Sequence, residues 1–283
     1  APLWDRMMLV RENQANIERA LATPAAARDG AIDLALFAAL GATVSHANMS
    51  SPQMASAWTR ALELAKRRGD LALQLQSLWG LWVTELNKGH FHAALDLARR
   101  FCTVAAGSPD PNDSFVGDRL VAYPLHFLGD QAGARRHIER MLAGYQPRER
   151  QTHAFRFQFD QRIIGRMTLA NVLWVQGEAE AALACVEDNV RDALAVGHAL
   201  TLCNALVKSC CPVALLCGRV DLAQRHVDLL QQHTGAHALF MWHPATRCYQ
   251  GLVHLAQGDL QGGRQAVRLA LDELPQARFA LPQ

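Results

Sequence analysis

Four of the chain's seven cysteines stand between positions 203 and 217, and they are the first side chains that could do chemistry. Cys203, Cys210, Cys211 and Cys217 could offer thiolates to zinc, or a vicinal dithiol to oxidants and arsenicals. On one helix, however, seven residues advance the chain about 10.5 Å, while zinc–sulfur bonds of about 2.3 Å need converging ligands. The spacing therefore predicts small residues packed in a core. The odd number of cysteines, without framework spacing, fits reduced thiols in a cytosolic protein. Among the twelve histidines, His90 and His92 fall in a predicted turn, and His233 and His237 straddle Gly235. Solvated turn or cap positions are expected for both pairs. No Gly-rich phosphate loop, His-Glu-x-x-His helix or Gly-x-Ser-x-Gly elbow occurs. His126 and Asp160 are candidate acids or bases only as single residues, without a supporting constellation. The expectation is a non-enzyme with no cofactor and no metal.

What the chain does specify is a helical scaffold. Its 283 residues carry 47 Ala and 40 Leu against 17 Val and 5 Ile, a balance that favours helix over strand. Half the residues are apolar and the net charge is +2, which excludes disorder and an extended basic stripe for nucleic acid. The longest weakly polar stretch, residues 193–207, is too short to span a bilayer, so no membrane segment is expected.

A Gly followed by a polar residue and then small residues recurs at Gly89, Gly129, Gly177, Gly218 and Gly258, in steps of 40, 48, 41 and 40 residues. Each is read as the left-handed cap of one helix and the start of the next. Five residues after these glycines stand Ala94, Ala134, Ala182, Ala223 and Gly263. Seven before them stand Trp82, Ala122, Ala170, Cys211 and Gly251. All but Trp82 are small, which predicts close helix packing beside each turn. Pro124 and Pro212 fall inside two of the helices and are expected to bend them. The long step holds His153-Ala154-Phe155-Arg156-Phe157-Gln158-Phe159-Asp160, which alternates apolar and polar residues. That pattern predicts an extra-long helix sunk in the core, a short extended segment, or a ligand-contacting insertion.

The Gly-polar-x-x-x-Ala hairpins resemble tetratricopeptide repeats (TPR), with a longer period than that family's 34 residues. Asn16-Ile17-Glu18-Arg19-Ala20-Leu21 resembles the stretch where bacterial signal-transducing ATPases hand over to such repeats. The resemblance implies an all-α, right-handed α-solenoid of antiparallel helix pairs. It also implies residues 1–30 as an N-terminal helix at the hand-over from an upstream ATPase module, and 31–283 as repeats in a fragment of a longer regulator.

In TPR-like solenoids the first helix of each pair lines the concave face. Positions 10, 6 and 3 before each glycine share a helix face, and place Arg119, Tyr123, His126, Asn171, Trp174 and Lys208 there. A basic, aromatic groove of this kind suits a peptide, a partner protein or a small anionic ligand. The expected function is a sensor or interaction module of a bacterial cytoplasmic regulator, coupled to an ATPase and its output. The alternative is a stand-alone protein-assembly scaffold.

Overall fold

The computed structural model describes residues 10–22, 30–47, 52–146, 156–236, 239 and 242–273. His153, Ala154, Phe155 and His237, singled out above, lie outside the described residues. Helices follow one another along the chain: α1 (Val10–Ala22), α2 (Gly30–Ala47), α3 (Pro52–Arg68), α4 (Leu71–Asn87), α5 (Phe91–Ala105), α6 (Asn112–Phe127) and α7 (Gln131–Gly144). Then come α8 (Gln161–Val175), α9 (Ala179–Val196), α10 (Ala199–Leu216), α11 (Val220–Ala236), α12 (His243–Ala256) and α13 (Leu260–Glu273). No strand occurs among the described residues. The architecture is all-α, built of TPR-like antiparallel helix pairs. Two compact units divide at Pro124 and Leu125, within α6.

Each of the five recurring glycines joins a first helix (α4, α6, α8, α10 or α12) to a second (α5, α7, α9, α11 or α13). All five have φ between 69° and 95°, the region open to glycine. The following residue donates its N–H to a carbonyl five positions back. These bonds are His90 to Glu85, Asp130 to Leu125, Glu178 to Leu173, Arg219 to Ala214 and Asp259 to His254, at 2.8–3.0 Å. This is the Schellman closure of a helix end. Where the residue after glycine is aspartate, its carboxylate also caps the next helix: Asp130 accepts from Gly133 N–H at 2.8 Å and Asp259 from Gly262 N–H at 2.9 Å.

The small residues beside the turns are buried, as their spacing predicts. At the last hairpin, a Cβ added to Gly251 would lie 2.8 Å from the Gly263 carbonyl oxygen. Backbone therefore meets backbone between α12 and α13. Ala182→Leu is expected to overpack the α8–α9 pair by about 1–3 kcal/mol. Urea denaturation checks this; a neutral result would contradict the packing role of that position.

Trp82 breaks the small-residue rule for a reason that lies in α6. Pro124 lacks an N–H, so the Leu120 carbonyl four residues earlier loses its helical donor. The Trp82 indole Nε1–H supplies one instead, at 3.0 Å. A second tryptophan organises the other end of the first unit. Trp58 of α3 is wholly buried, and its ring fills the space left by two helix-interior glycines, Gly41 of α2 and Gly80 of α4.

The described residues of the aromatic-alternating segment, 156–160, form neither an extended strand nor a continuation of α8. Residues 156–157 form a short helical fragment, Gln158 takes φ 66°, and Asp160 caps a new helix at Gln161. Phe157 is wholly buried beneath the Arg156 guanidinium, 4.9 Å from its ring centroid. Residues 156–160 thus form a break before α8, plugged by Phe157.

Candidate functional site

The first helices of the hairpins carry the candidate groove residues, and the two units are taken in turn. In the first unit Trp82, Arg119 and Tyr123 stack. The Arg119 guanidinium lies 5.2 Å from the centroid of Trp82, and the Tyr123 ring meets Trp82 edge-on at 5.9 Å and 65°. Arg119 is only 3% exposed. It does not display its guanidinium as the spacing suggests; it packs over the Trp82 ring, while Tyr123 remains partly open. Burial pushes the Tyr123 hydroxyl up to about 12, against the opposing charge of Arg119. Tyr123 is therefore a neutral donor and acceptor at physiological pH.

In the second unit His126 turns inward to its own hairpin. Its Nδ1 lies 2.8 Å from Gln131 Oε1, while Gln131 Nε2 donates to the His126 carbonyl at 2.8 Å. Burial lowers its pKa. The ring also meets Phe127 edge-on, with centroids 5.0 Å apart. These contacts make His126 a turn-stabilising residue. Asp160 is likewise a cap: its Oδ1 accepts from Arg162 and Ile163 N–H at 3.0 and 3.1 Å.

Asn171, Trp174 and Lys208 stand on α8 and α10, and the structure links the first and last of them through the backbone. Within α10, residues Leu206–Cys210 form a π-turn, in which Cys211 N–H bonds to Leu206 O. Pro212 follows immediately. In α-helical register its missing N–H would orphan the Lys208 carbonyl; in the π register it orphans that of Val207. Neighbouring helices fill both positions. Asn171 Nδ2 donates to Lys208 O at 3.1 Å, and the Tyr249 hydroxyl of α12 donates to Val207 O at 2.7 Å. His226 of α11 completes the set, with Nδ1 3.2 Å from Cys210 O. Asn171 is thus a brace for α10, and Tyr249, unmarked in the sequence, is its counterpart from the other side.

Trp174, Lys208 and Tyr249 remain half-buried on three successive first helices. Burial lowers the Lys208 ammonium to about 8. The folded chain then releases this proton near pH 8, and the unfolded chain near 10.5. Between those values the unfolded state binds more protons at this group, so Lys208 contributes a stability that rises with pH. The buried thiols, raised by burial, give a falling slope over the same window, so the melting temperature should fall more steeply with pH in Lys208→Met than in the native chain. Parallel melts at both ends of the window check this; identical slopes would contradict it.

Three of the four clustered cysteines have the packing role that the spacing predicts, and Cys217, just past the end of α10, is only half-buried. Cys203, Cys210 and Cys211 are buried, and burial raises all three thiols, Cys203 to about 12. Among the described residues no group of three His, Cys, Asp or Glu side chains could hold a metal ion. Helix α10 has the length and apolar content to cross a bilayer, yet 67% of it is buried within the molecule.

No protein-family model matches the chain, and none of the curated proteins does. Solved structures do. RapI in its apo form superposes with a TM-score of 0.70 at 11% identity, over 97% of this chain and 94% of that one. A Rap protein complexed with competence and sporulation factor gives 0.67 at 12% identity, over 98% and 76%. BtubC (BKLC) from P. vanneervenii gives 0.56 at 16% identity, over 81% and 92%. The chain has the helical-repeat fold of the Rap structures. At these identities the likeness concerns the fold.

Proposed function

We propose that this chain is a non-catalytic interaction module whose first-helix face receives a peptide segment of a partner protein or a small anionic ligand. The observation that carries this reading is the face formed by α8, α10 and α12. Three helices braced to one another through side chain-to-carbonyl bonds leave Trp174, Lys208 and Tyr249 half-open towards solvent. A rigid backing with aromatic and cationic groups suits recognition of a carboxylate-bearing segment. Tyr123 serves the same role in the first unit, positioned by Arg119 and Trp82. The fold likeness to a Rap protein solved with competence and sporulation factor supports partner binding over catalysis.

Binding acts by population shift: a ligand that fits one arrangement of the braced helices raises its share. The regulator is bacterial and cytoplasmic in this reading, with its output in transcription or signalling. An ATPase lies upstream in the same polypeptide; the Asn16–Leu21 stretch in α1 supports that placement, and the sequence upstream of residue 1 tests it. For the face itself, acidic peptide pools are titrated against the whole chain with calorimetric detection. Trp174→Ala and Lys208→Ala should each weaken the best binder at least tenfold. Arg119→Ala should lower the melting temperature and leave affinity near native. Unchanged affinity in both face variants would overturn the assignment.

A further inference from the structure

The hairpin turns of the second unit lie side by side along one edge. Arg135 of α7 bonds to Gln176 at 3.0 Å and pairs with Glu178, joining the Gly129 and Gly177 turns. Arg219 is paired with Asp221 of its own turn, and Glu180 lies within electrostatic reach of both Arg219 and Cys217, which sets the Gly177 and Gly218 turns beside each other. Gln257 Nε2 donates to Gln224 Oε1 at 3.3 Å, joining the Gly218 and Gly258 hairpins.

Large apolar side chains are exposed along this edge. Val175 and Leu216 each stand two residues before a hairpin glycine and are 48% and 57% exposed; Leu260 stands two after Gly258 and is 57% exposed. Phe127, two before Gly129, is 37% exposed. A soluble surface scatters such residues singly, and an apolar row with a polar rim marks an interaction site.

The rim has a sign. Within three residues of the four glycines stand Asp130, Glu178, Glu180, Asp221 and Asp259 against Arg219, all six exposed; Arg135 and Arg225, further along α7 and α11, pair with Glu178 and Asp221 and leave an acidic excess of two. The edge therefore favours a cationic partner, and it disfavours a second copy, which would set carboxylates against carboxylates. Backbone chemistry decides the partner's conformation. Every turn is closed by its own Schellman bond, so an extended strand would find no unpaired ladder to join. A helix brings its backbone already satisfied. Packed helices stand about 8–10 Å apart, and seven residues of helix advance about 10.5 Å. Apolar residues one heptad apart on a partner helix would thus meet successive turns.

We propose that this edge docks a basic amphipathic helix of a partner protein, with apolar residues at heptad spacing flanked by Lys or Arg. The surface is separate from the first-helix face, and the test keeps the two apart. The probes are a 21-residue helical peptide with Leu at heptad spacing among Lys and Ala, and its counterpart with Glu replacing Lys. Both are titrated against the whole chain by fluorescence anisotropy. The Lys peptide should bind at least tenfold more tightly than the Glu peptide, and 0.5 M salt should weaken it. Val175→Ser combined with Leu216→Ser should weaken it tenfold or more, and Glu180→Lys should weaken it independently. Trp174→Ala should leave it unchanged. Equal binding of the two peptides, or native affinity in both the Ser and Lys variants, would overturn the proposal. So would sedimentation showing a dimer that Leu216→Ser dissolves, or zwitterionic vesicles bound through the same two apolar residues.

Discussion

Replacing Trp58 by alanine is expected to cost about 3–5 kcal/mol, the range for deleting a large aromatic from a packed core. The indole is wholly buried in the first unit, wedged between α2 and α4 at two glycines. A Cβ at Gly41 would lie 2.5 Å from Trp58 Cε2, and one at Gly80 would come closer still to Nε1. Gly80→Ala should therefore destabilise as well, by about 1–3 kcal/mol or more. Neither change is independent of the other. Trp58→Leu opens room for a methyl group at position 80, so the double variant should cost clearly less than the sum of its parts. Chemical denaturation of the four proteins in the cycle measures the coupling. Strict additivity would show that Trp58 and Gly80 do not share this space.

Tyr249→Phe should cost about 1–3 kcal/mol, because it strips the donor from a buried carbonyl rather than merely deleting a bond. The test lies in the partner that created the need. Pro212→Ala returns an N–H to α10, which can serve Val207 O in the π register or Lys208 O in the α register. In that background Tyr249→Phe, and likewise Asn171→Leu, should cost less than half as much. A cycle by urea denaturation reads this directly. Equal costs in both backgrounds would mean that Tyr249 stabilises only by packing. The sign of the proline change alone is not diagnostic, since proline also restricts the unfolded chain.

The hairpins were legible because each closes within a few residues. Gly129-Asp130 or Gly258-Asp259 announces a helix end and a cap together, and small residues at fixed offsets announce where the pair touches. The braces were not legible, because each joins residues roughly 37–42 positions apart that no local pattern connects. Trp82 looked like an exception until Pro124 supplied its partner. Asn171 shared a face with Trp174, as the spacing said, but its amide was committed to the neighbouring helix. Lys208 stays half-open beside Trp174, although counting back from Gly218 assumes 3.6 residues per turn and the π-turn adds a residue to the count. Arg119 stands one turn before Tyr123 on α6, but its depth of burial goes with Trp82 in another helix. For Trp58 the signal was present. Gly41 and Gly80 are helix-interior glycines separated by 39 residues, one repeat apart. The apolar edge could also have been found by aligning the turns, since Phe127, Val175 and Leu216 occupy the same offset.

The five identical turn closures also bear on how the chain reaches its native state. Each joins atoms five residues apart, and loops of that size close in well under a microsecond. A hairpin can therefore nucleate wherever its own helices meet, without waiting for the chain ends to find each other, and structure then spreads to adjacent pairs. Refolding of such a chain is limited by the assembly of neighbours rather than by long-range search. Deleting the terminal pair α12–α13 should accordingly speed unfolding of the second unit, by withdrawing the Tyr249 brace, and leave the earliest folding phase unchanged.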